Sequence, residues 1–288
     1  MFMPFWFIHS GVVLCGPDVP CAAMDTVAEV RGQVWHMSQS PHGTWLVQSA
    51  LETAPDDAGR LLLVDELKGH VWDALRCPHA NYVLQKGLKV VRAGAAQFIL
   101  DELLAPGTGS IMRAAKHQFG CRVVQRIIEH LSVPQLVDVF QCLAAEAGKL
   151  SRHTYGCFVV RSLLEHGPAG TRHDILLTLA RDIETTMCSR HGRAVVADAF
   201  ALGIEKDQQA LAHALIVTGA WPRCAHSGSR YIPPITNRML ELLPSDQVQA
   251  MFDSLTAAEL GLKKHRIGRR LLAMRGRYLQ PSVEDNQQ

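Results

Sequence analysis

The sequence predicts an all-α fold: a right-handed solenoid of stacked helical repeats, a curved rod with a concave binding face. Three observations predict it. A segment recurs at a near-constant period, each copy carries a helical apolar stripe, and a second amphipathic stretch precedes most copies.

The recurring segments are HGTWLVQSAL (42–51), HANYVLQKGL (79–88), FGCRVVQRII (119–128), YGCFVVRSLL (155–164) and HGRAVVADAF (191–200). Two weaker members follow, SGSRYIPPIT (227–236) and IGRRLLAMRG (267–276). The third residue of each serves as an anchor: Thr44, Asn81, Cys121, Cys157, Arg193, Ser229 and Arg269, spaced by 37, 40, 36, 36, 36 and 40 residues. Self-similarity at such a period marks stacked units, none of which can bury its apolar face alone.

Within a unit, apolar residues fall at offsets 2, 3, 6 and 7 from the anchor. They are Leu46, Val47, Ala50 and Leu51 in the first unit, and Val123, Val124, Ile127 and Ile128 in the third. The fourth unit has Val159, Val160, Leu163 and Leu164. At about 100° per residue these positions form one helical stripe. Offsets 0, 1 and 4 lie on the other side, so these positions are expected to point outward, unit after unit.

The preceding helical patterns run over 95–104, 135–145, 173–183 and 247–255. Pro55, Pro106-Gly107, Pro134, Gly167-Pro168 and Pro244 punctuate the loops. Ser245-Asp246 is a plausible helix start. The period leaves room for two or three helices per unit and little for strands.

Composition agrees with a folded chain. The 288 residues are 48% hydrophobic and 19% charged, and mean hydropathy is slightly positive. Net charge is only +2, so bulk charge says little about nucleic acid. The distribution says more: Lys263, Lys264, Arg266, Arg269, Arg270, Arg275 and Arg277 occur without an intervening acid. Such a cluster reads equally as a solvated basic end or a phosphate-tracking patch.

The eight cysteines form no C-x-x-C pair and are spread along the chain, unlike a disulfide framework or a zinc site. A reducing compartment is expected. Histidines recur near the anchors (His42, His79, His117, His153, His191, His226 and His265). Successive units separate them along the rod, so a structural role in the loops is favoured over metal binding, and no metal or cofactor is expected. The apolar start, MFMPFWFIHSGVVLCG, is too short to span a bilayer as a helix and lacks a basic region before it. No Ser/His/Asp set, phosphate loop or paired carboxylates stand out, and the chain is expected not to be an enzyme.

The residues at the outward offsets identify the repeat type. NYVLQ (81–85), CRVVQ (121–125) and CFVVR (157–161), preceded by His and often Gly, resemble the RNA-reading helix of Pumilio (PUF) repeats. That helix carries a small or amide residue, a stacking residue, two apolar residues, then Gln or Glu. The resemblance covers residues 30 to 278. It is strongest at Asn81 and Cys121, good at Thr44 and Cys157, and weak at Arg193, Ser229 and Arg269.

The resemblance implies single-stranded RNA as partner, one base per repeat, read by two or three side chains. It makes Thr44 with Gln48, Asn81 with Gln85, Cys121 with Gln125 and Cys157 with Arg161 the base-edge residues. Trp45, Tyr82, Arg122, Phe158 and Arg230 become the stacking residues. Asn with Gln resembles a uracil reader and Cys with Gln an adenine reader. Thr with Gln is close to the Ser-Gln adenine pattern. Because the family reads RNA antiparallel, units one to three are expected to read 5′-A-U-A-3′, the last base least firmly. Arg193, Arg269 and Arg270 are candidates for phosphate contacts.

Departures from the pattern lie toward the C-terminus. Cys157 is paired with Arg161, Arg193 with Ala197, Ser229 with Pro233 and Arg269 with Ala273, while Ala194 holds a stacking place. Seven units are visible where the family norm is eight. The expected organisation is one repeat domain over 26–280, an N-terminal extension over 1–25 (disordered, non-native or a targeting segment) and a tail over 281–288. The expected role is post-transcriptional control of messenger RNA through 3′ untranslated regions, in the cytoplasm, by a monomer that recruits protein co-regulators on its convex face. The alternatives are a nucleolar ribosome-assembly factor of the same type, and a HEAT- or armadillo-type protein scaffold.

Overall fold

The computed structural model describes residues 23–105, 111–225, 227–255, 262–264 and 266–279, and among these there are helices and no strands. The extension at 1–25 lies outside them except for residues 23–25, and so does the tail at 281–288. Helix α1 (Ala23–Val30) begins three residues before the expected domain boundary and packs against the first anchor helix.

Each complete unit is a triplet: a short helix, a long anchor-bearing helix, and an outer helix. The first is α2 (Val34–Ser38), α3 (Pro41–Thr53) and α4 (Asp57–Asp65). The second is α5 (Val71–Arg76), α6 (Ala80–Val90) and α7 (Gln97–Leu104). The third is α8 (Ile111–Lys116), α9 (Gly120–His130) and α10 (Val137–Ala145). The fourth is α11 (Ala147–Arg152), α12 (Gly156–His166) and α13 (Ala169–Arg181). The fifth is α14 (Ile183–Cys188), α15 (Arg190–Leu202) and α16 (Glu205–Val217). The sixth is α17 (Ala220–Ala225), α18 (Ile232–Leu242) and α19 (Ser245–Asp253). Helix α20 (Arg266–Leu279) carries the last anchor. Sequence periodicity finds the second and third members of the triplet. The first, of five or six residues, is too short to show a period.

The anchor helices α3, α6, α9, α12, α15, α18 and α20 pack side by side in one row. Outer helices α10, α13 and α16 form a second row. The expected stripe lies between: Val47, Ala50, Leu51, Val123, Val124, Ile127, Val159, Val160 and Leu163 are fully buried. One continuous apolar core therefore runs the length of the solenoid, as stacking requires.

In the first two units a polar group ties the outer end of the unit back to its own start. The Glu66 carboxylate accepts from the backbone N–H groups of Gly32 (2.7 Å) and Val34 (2.9 Å). Glu102, 36 residues later, does the same for Gly69 (2.6 Å) and Val71 (3.1 Å). Both glycines have left-handed φ (81° and 79°), which turns the chain into the short helix.

Candidate nucleic-acid interface

The anchor helices are aligned by a repeated device at their N-termini. Four residues before the anchor stands a side chain that accepts a backbone N–H from the first turn, satisfying donors that a helix start leaves orphaned. Ser40 Oγ accepts from Gly43 (3.1 Å), and Cys77 Sγ from Ala80 (3.4 Å). His117 Nδ1 accepts from Phe119 (3.3 Å) and Gly120 (3.2 Å). His153 Nδ1 accepts from Tyr155 and Gly156, both at 3.2 Å. Ser189 Oγ accepts from His191 (3.2 Å) and Gly192 (3.5 Å).

The recurring histidines thus fall into two registers. His117 and His153 cap. His42, His79 and His191 sit two residues nearer the anchor, and the His79 carbonyl accepts the Thr44 hydroxyl of the preceding unit (3.0 Å). His226 and His265 lie outside the described residues. Burial is the leading cause that lowers the pKa of His117 and His153, seconded by Arg76 and Lys116 respectively. A neutral ring with Nδ1 as acceptor is what the caps require.

In five units the residue just before the anchor is a glycine packed against the carbonyl six residues earlier; the second unit has Ala80 there. A Cβ on Gly120 would sit 2.7 Å from the Ala114 oxygen, and one on Gly156 2.9 Å from the Leu150 oxygen. Gly43, Gly192 and Gly268 approach Met37, Thr186 and Leu262 in the same way. Short helix and anchor helix therefore meet backbone to backbone, which fixes where each anchor side chain emerges.

The outward face differs from expectation in one respect. Offset 1 is exposed in the first two units, where Trp45 is 58% and Tyr82 51% accessible; it is half-buried at Arg122 and Phe158 and buried at Ala194. Offset 0 is buried at Thr44, Asn81, Cys121 and Cys157, and offset 4 is buried at Gln125 but half-buried at Gln48, Gln85 and Arg161. The reason is angular. The apolar stripe centres near 270° when the anchor is set at zero, with about 100° per residue. Offset 1 then points straight away from the core, whereas offset 0 lies at the rim, against the neighbouring anchor helix. The base-edge positions form a floor and the stacking positions stand as posts above it.

In the second unit the floor is an amide pair. Asn81 Nδ2 donates to the Cys77 carbonyl (2.8 Å), and Gln85 Nε2 donates to Asn81 Oδ1 (2.9 Å). Each amide keeps a second N–H, and Gln85 keeps its oxygen. In the first unit Gln48 Nε2 donates to the Thr44 carbonyl (3.1 Å). In the third, Gln125 Nε2 donates to the Cys121 carbonyl (2.8 Å), and Cys121 Sγ to that of Gln118 (3.4 Å). Burial pushes the Cys121 thiol up to about 11 and raises Cys157 too, so both stay protonated thiols.

Arg122 does not stand out as Tyr82 does. Its guanidinium lies 4.8 Å from the centre of the Phe158 ring, one unit on. That gap is too narrow for an intervening base, which needs about 3.4 Å on each of its faces. Arg161 forms an ion pair through Nε with Asp198, at offset 5 of the fifth unit. Burial raises the Asp198 carboxyl and Arg161 opposes the shift. Sequence reasoning missed Asp198. Its signal was a carboxylate one period plus one residue beyond an arginine at a base-edge place.

The C-terminal units lose the pattern physically. Arg193 folds back so that Nη1 donates to the carbonyls of Met187 (2.8 Å) and Cys188 (3.3 Å). Helix α18 begins three residues past the Ser229 anchor, with Pro233 in its first turn, whereas the helices of the first five units begin before their anchors, so Ser229 is left in the segment ahead of the helix. Arg230 is exposed, 5.0 Å over the Tyr231 ring, and donates to its hydroxyl (3.0 Å). Arg269 Nη1 donates to the Lys263 carbonyl (3.1 Å), and Arg270 is exposed beside it.

The comparisons with known proteins follow this architecture. The Pumilio-family RNA binding repeat matches residues 33–68, 77–104, 111–143 and 148–178. No curated protein matches the chain by sequence. Among solved structures, PUF-8 in complex with PBE-RNA is 20% identical, with a TM-score of 0.75, covering 90% of this chain and 75% of that one. The Puf3 RNA-binding domain, bound to the Cox17 RNA 3′ UTR recognition sequence site A, is 19% identical with a TM-score of 0.71 and coverage of 86% and 75%. The RNA-binding domain of yeast Puf5p bound to MFA2 RNA is 15% identical with a TM-score of 0.67 and coverage of 84% and 67%. At these identities the structural likeness is one of fold: the curved helical solenoid with its concave row. The four repeat matches fall on the first four units, each reaching into or through the outer helix, and on that ground the chain belongs to the Pumilio repeat family.

Proposed function

We propose that this chain binds single-stranded RNA along the row of anchor helices, antiparallel to the chain, with one base per unit. The observation that carries the reading is the Asn81–Gln85 amide pair beside the exposed Tyr82 ring. The pair offers N–H donors and one amide oxygen, matching the alternating acceptors and N–H of a uracil edge. The ring offers a stacking plane, a contact worth about 1–3 kcal/mol per base.

Units one to three read 5′-A-U-A-3′. Thr44 with Gln48 takes the 3′ base, Asn81 with Gln85 the uracil, and Cys121 with Gln125 the 5′ adenine. Arg269 and Arg270 hold phosphate without reading sequence. The chain acts as a monomer and as a post-transcriptional regulator of messenger RNA in the cytoplasm, recruiting protein co-regulators on its convex face. The Puf3 domain bound to a 3′ UTR sequence supports the same class of target here.

In vitro selection from a random RNA pool tests this. The reading expects enriched RNAs to share a U flanked by A on its 5′ side. A pool without any base preference at adjacent positions, or no binding, would favour a protein scaffold instead.

A further inference from the structure

The fourth unit carries chemistry unlike its neighbours. Its offset-0 residue, Cys157, is buried, and its thiol faces the Thr154 carbonyl (3.4 Å) and His191 Nδ1 (3.8 Å). It offers little to a base. The strong polar group of this unit is Arg161, and it is not free to swing: its Nε is ion-paired to Asp198 of the next unit. That attachment uses one of five N–H donors. The four on Nη1 and Nη2 meet no protein acceptor among the described residues. Phe158, three residues earlier on the same helix, is half-buried, with Arg122 of the third unit against its ring. The fifth unit adds no stacking ring, since Ala194 occupies that place and is buried.

We propose that Asp198 is a specificity-determining positioning residue, which holds Arg161 by Nε so that its terminal nitrogens address a fourth base, 5′ of the A-U-A core. This rests on the RNA reading above. A guanidinium only donates, so it selects an edge with two adjacent acceptors. Guanine has one in O6 and N7, and cytosine has one in O2 and N3. Adenine places its N6 amino group beside N1 and N7 and sets N3 apart across C2–H, and uracil places N3–H between its two oxygens. The fourth unit therefore prefers guanine or cytosine over adenine or uracil.

The test uses four labelled RNAs that differ only in the base 5′ of A-U-A, plus a fifth with the core U changed to C. Affinities are measured for the full chain and for Asp198→Ala, Asp198→Asn, Arg161→Ala and the Arg161→Ala/Asp198→Ala pair, with thermal melts confirming folding. The wild type is expected to favour the G or the C RNA by roughly fivefold or more over the A and U RNAs. Asp198→Ala is expected to shrink that preference to within twofold, Asp198→Asn to leave part of it, and the pair to lose no more than Arg161→Ala alone. Discrimination at the core U should stay the same in every variant, which a merely structural defect would not allow. Undiminished preference in Asp198→Ala, or none in the wild type, would overturn the assignment. Insensitivity of all proteins to the core U change would instead overturn the RNA reading, and this inference with it.

Discussion

Gln85 Nε2 donates to Asn81 Oδ1 across one helical turn at 2.9 Å, so the two amides of the second unit are already locked together before any ligand arrives. The lock reaches inward as well, because Asn81 is anchored on the Cys77 carbonyl. Such preorganisation lowers the entropy lost on binding. Asn81→Ala and Gln85→Ala should each weaken binding to A-U-A RNA about fivefold or more, from the loss of one or two base-edge hydrogen bonds. Fluorescence anisotropy measures it, and affinity for an RNA lacking the U should change far less.

Tyr82 and Arg122 hold equivalent places but should respond differently. Tyr82 stands exposed, with no ring against it among the described residues, whereas Arg122 lies over Phe158. A base entering at the third unit must displace that contact. Tyr82→Ala is expected to cost about 1–3 kcal/mol of binding, as stacking losses do. Arg122→Ala is expected to cost less, because it also uncovers the Phe158 face.

The alignment of the row depends on glycine. Gly156→Ala places a Cβ 2.9 Å from the Leu150 oxygen, and Gly120→Ala 2.7 Å from that of Ala114. Backbone must move in each case, and overpacking of this kind costs about 1–3 kcal/mol. Chemical denaturation should show both variants less stable than wild type, despite alanine's better helix propensity.

The histidine caps make stability depend on pH. Burial lowers the pKa of His117 and His153 below the ordinary 6.5. A folded pKa below the unfolded one gives stability that is present in full above 6.5 and lost as pH falls through the folded values. Melting temperature is therefore expected to drop between pH 7 and pH 5. His117→Ser and His153→Ser, which copy the caps at Ser40 and Ser189, should flatten that drop. His130 and His191 shift the same way, so part of it remains.

The stripe, the anchor row and the outer helices were legible because burial imposes a helical period on Val47, Val124, Val160 and their partners. The short helices were not, since α2, α5 and α8 complete fewer than two turns. The depth of the base-edge floor was also hidden. A single-helix projection separates core from surface but contains no neighbouring helix, and it is the neighbour that covers Asn81 and Cys121. The split among the histidines was readable in principle, from a two-residue difference in spacing to the anchor. The Arg161–Asp198 pair needs the register between two units, which only the stacked structure supplies.

The most direct test of base reading is a change of preference in place of a loss. In the family this chain belongs to, a Ser with Glu pair reads guanine. Asn81→Ser with Gln85→Glu keeps the helix and replaces the uracil-matching amides with a carboxylate acceptor suited to guanine N–H groups. Affinities for A-U-A and A-G-A RNA, measured on both proteins at one salt concentration, should cross over: U preferred by the wild type, G by the double variant. Unchanged ranking of the two RNAs in the folded variant would contradict the account.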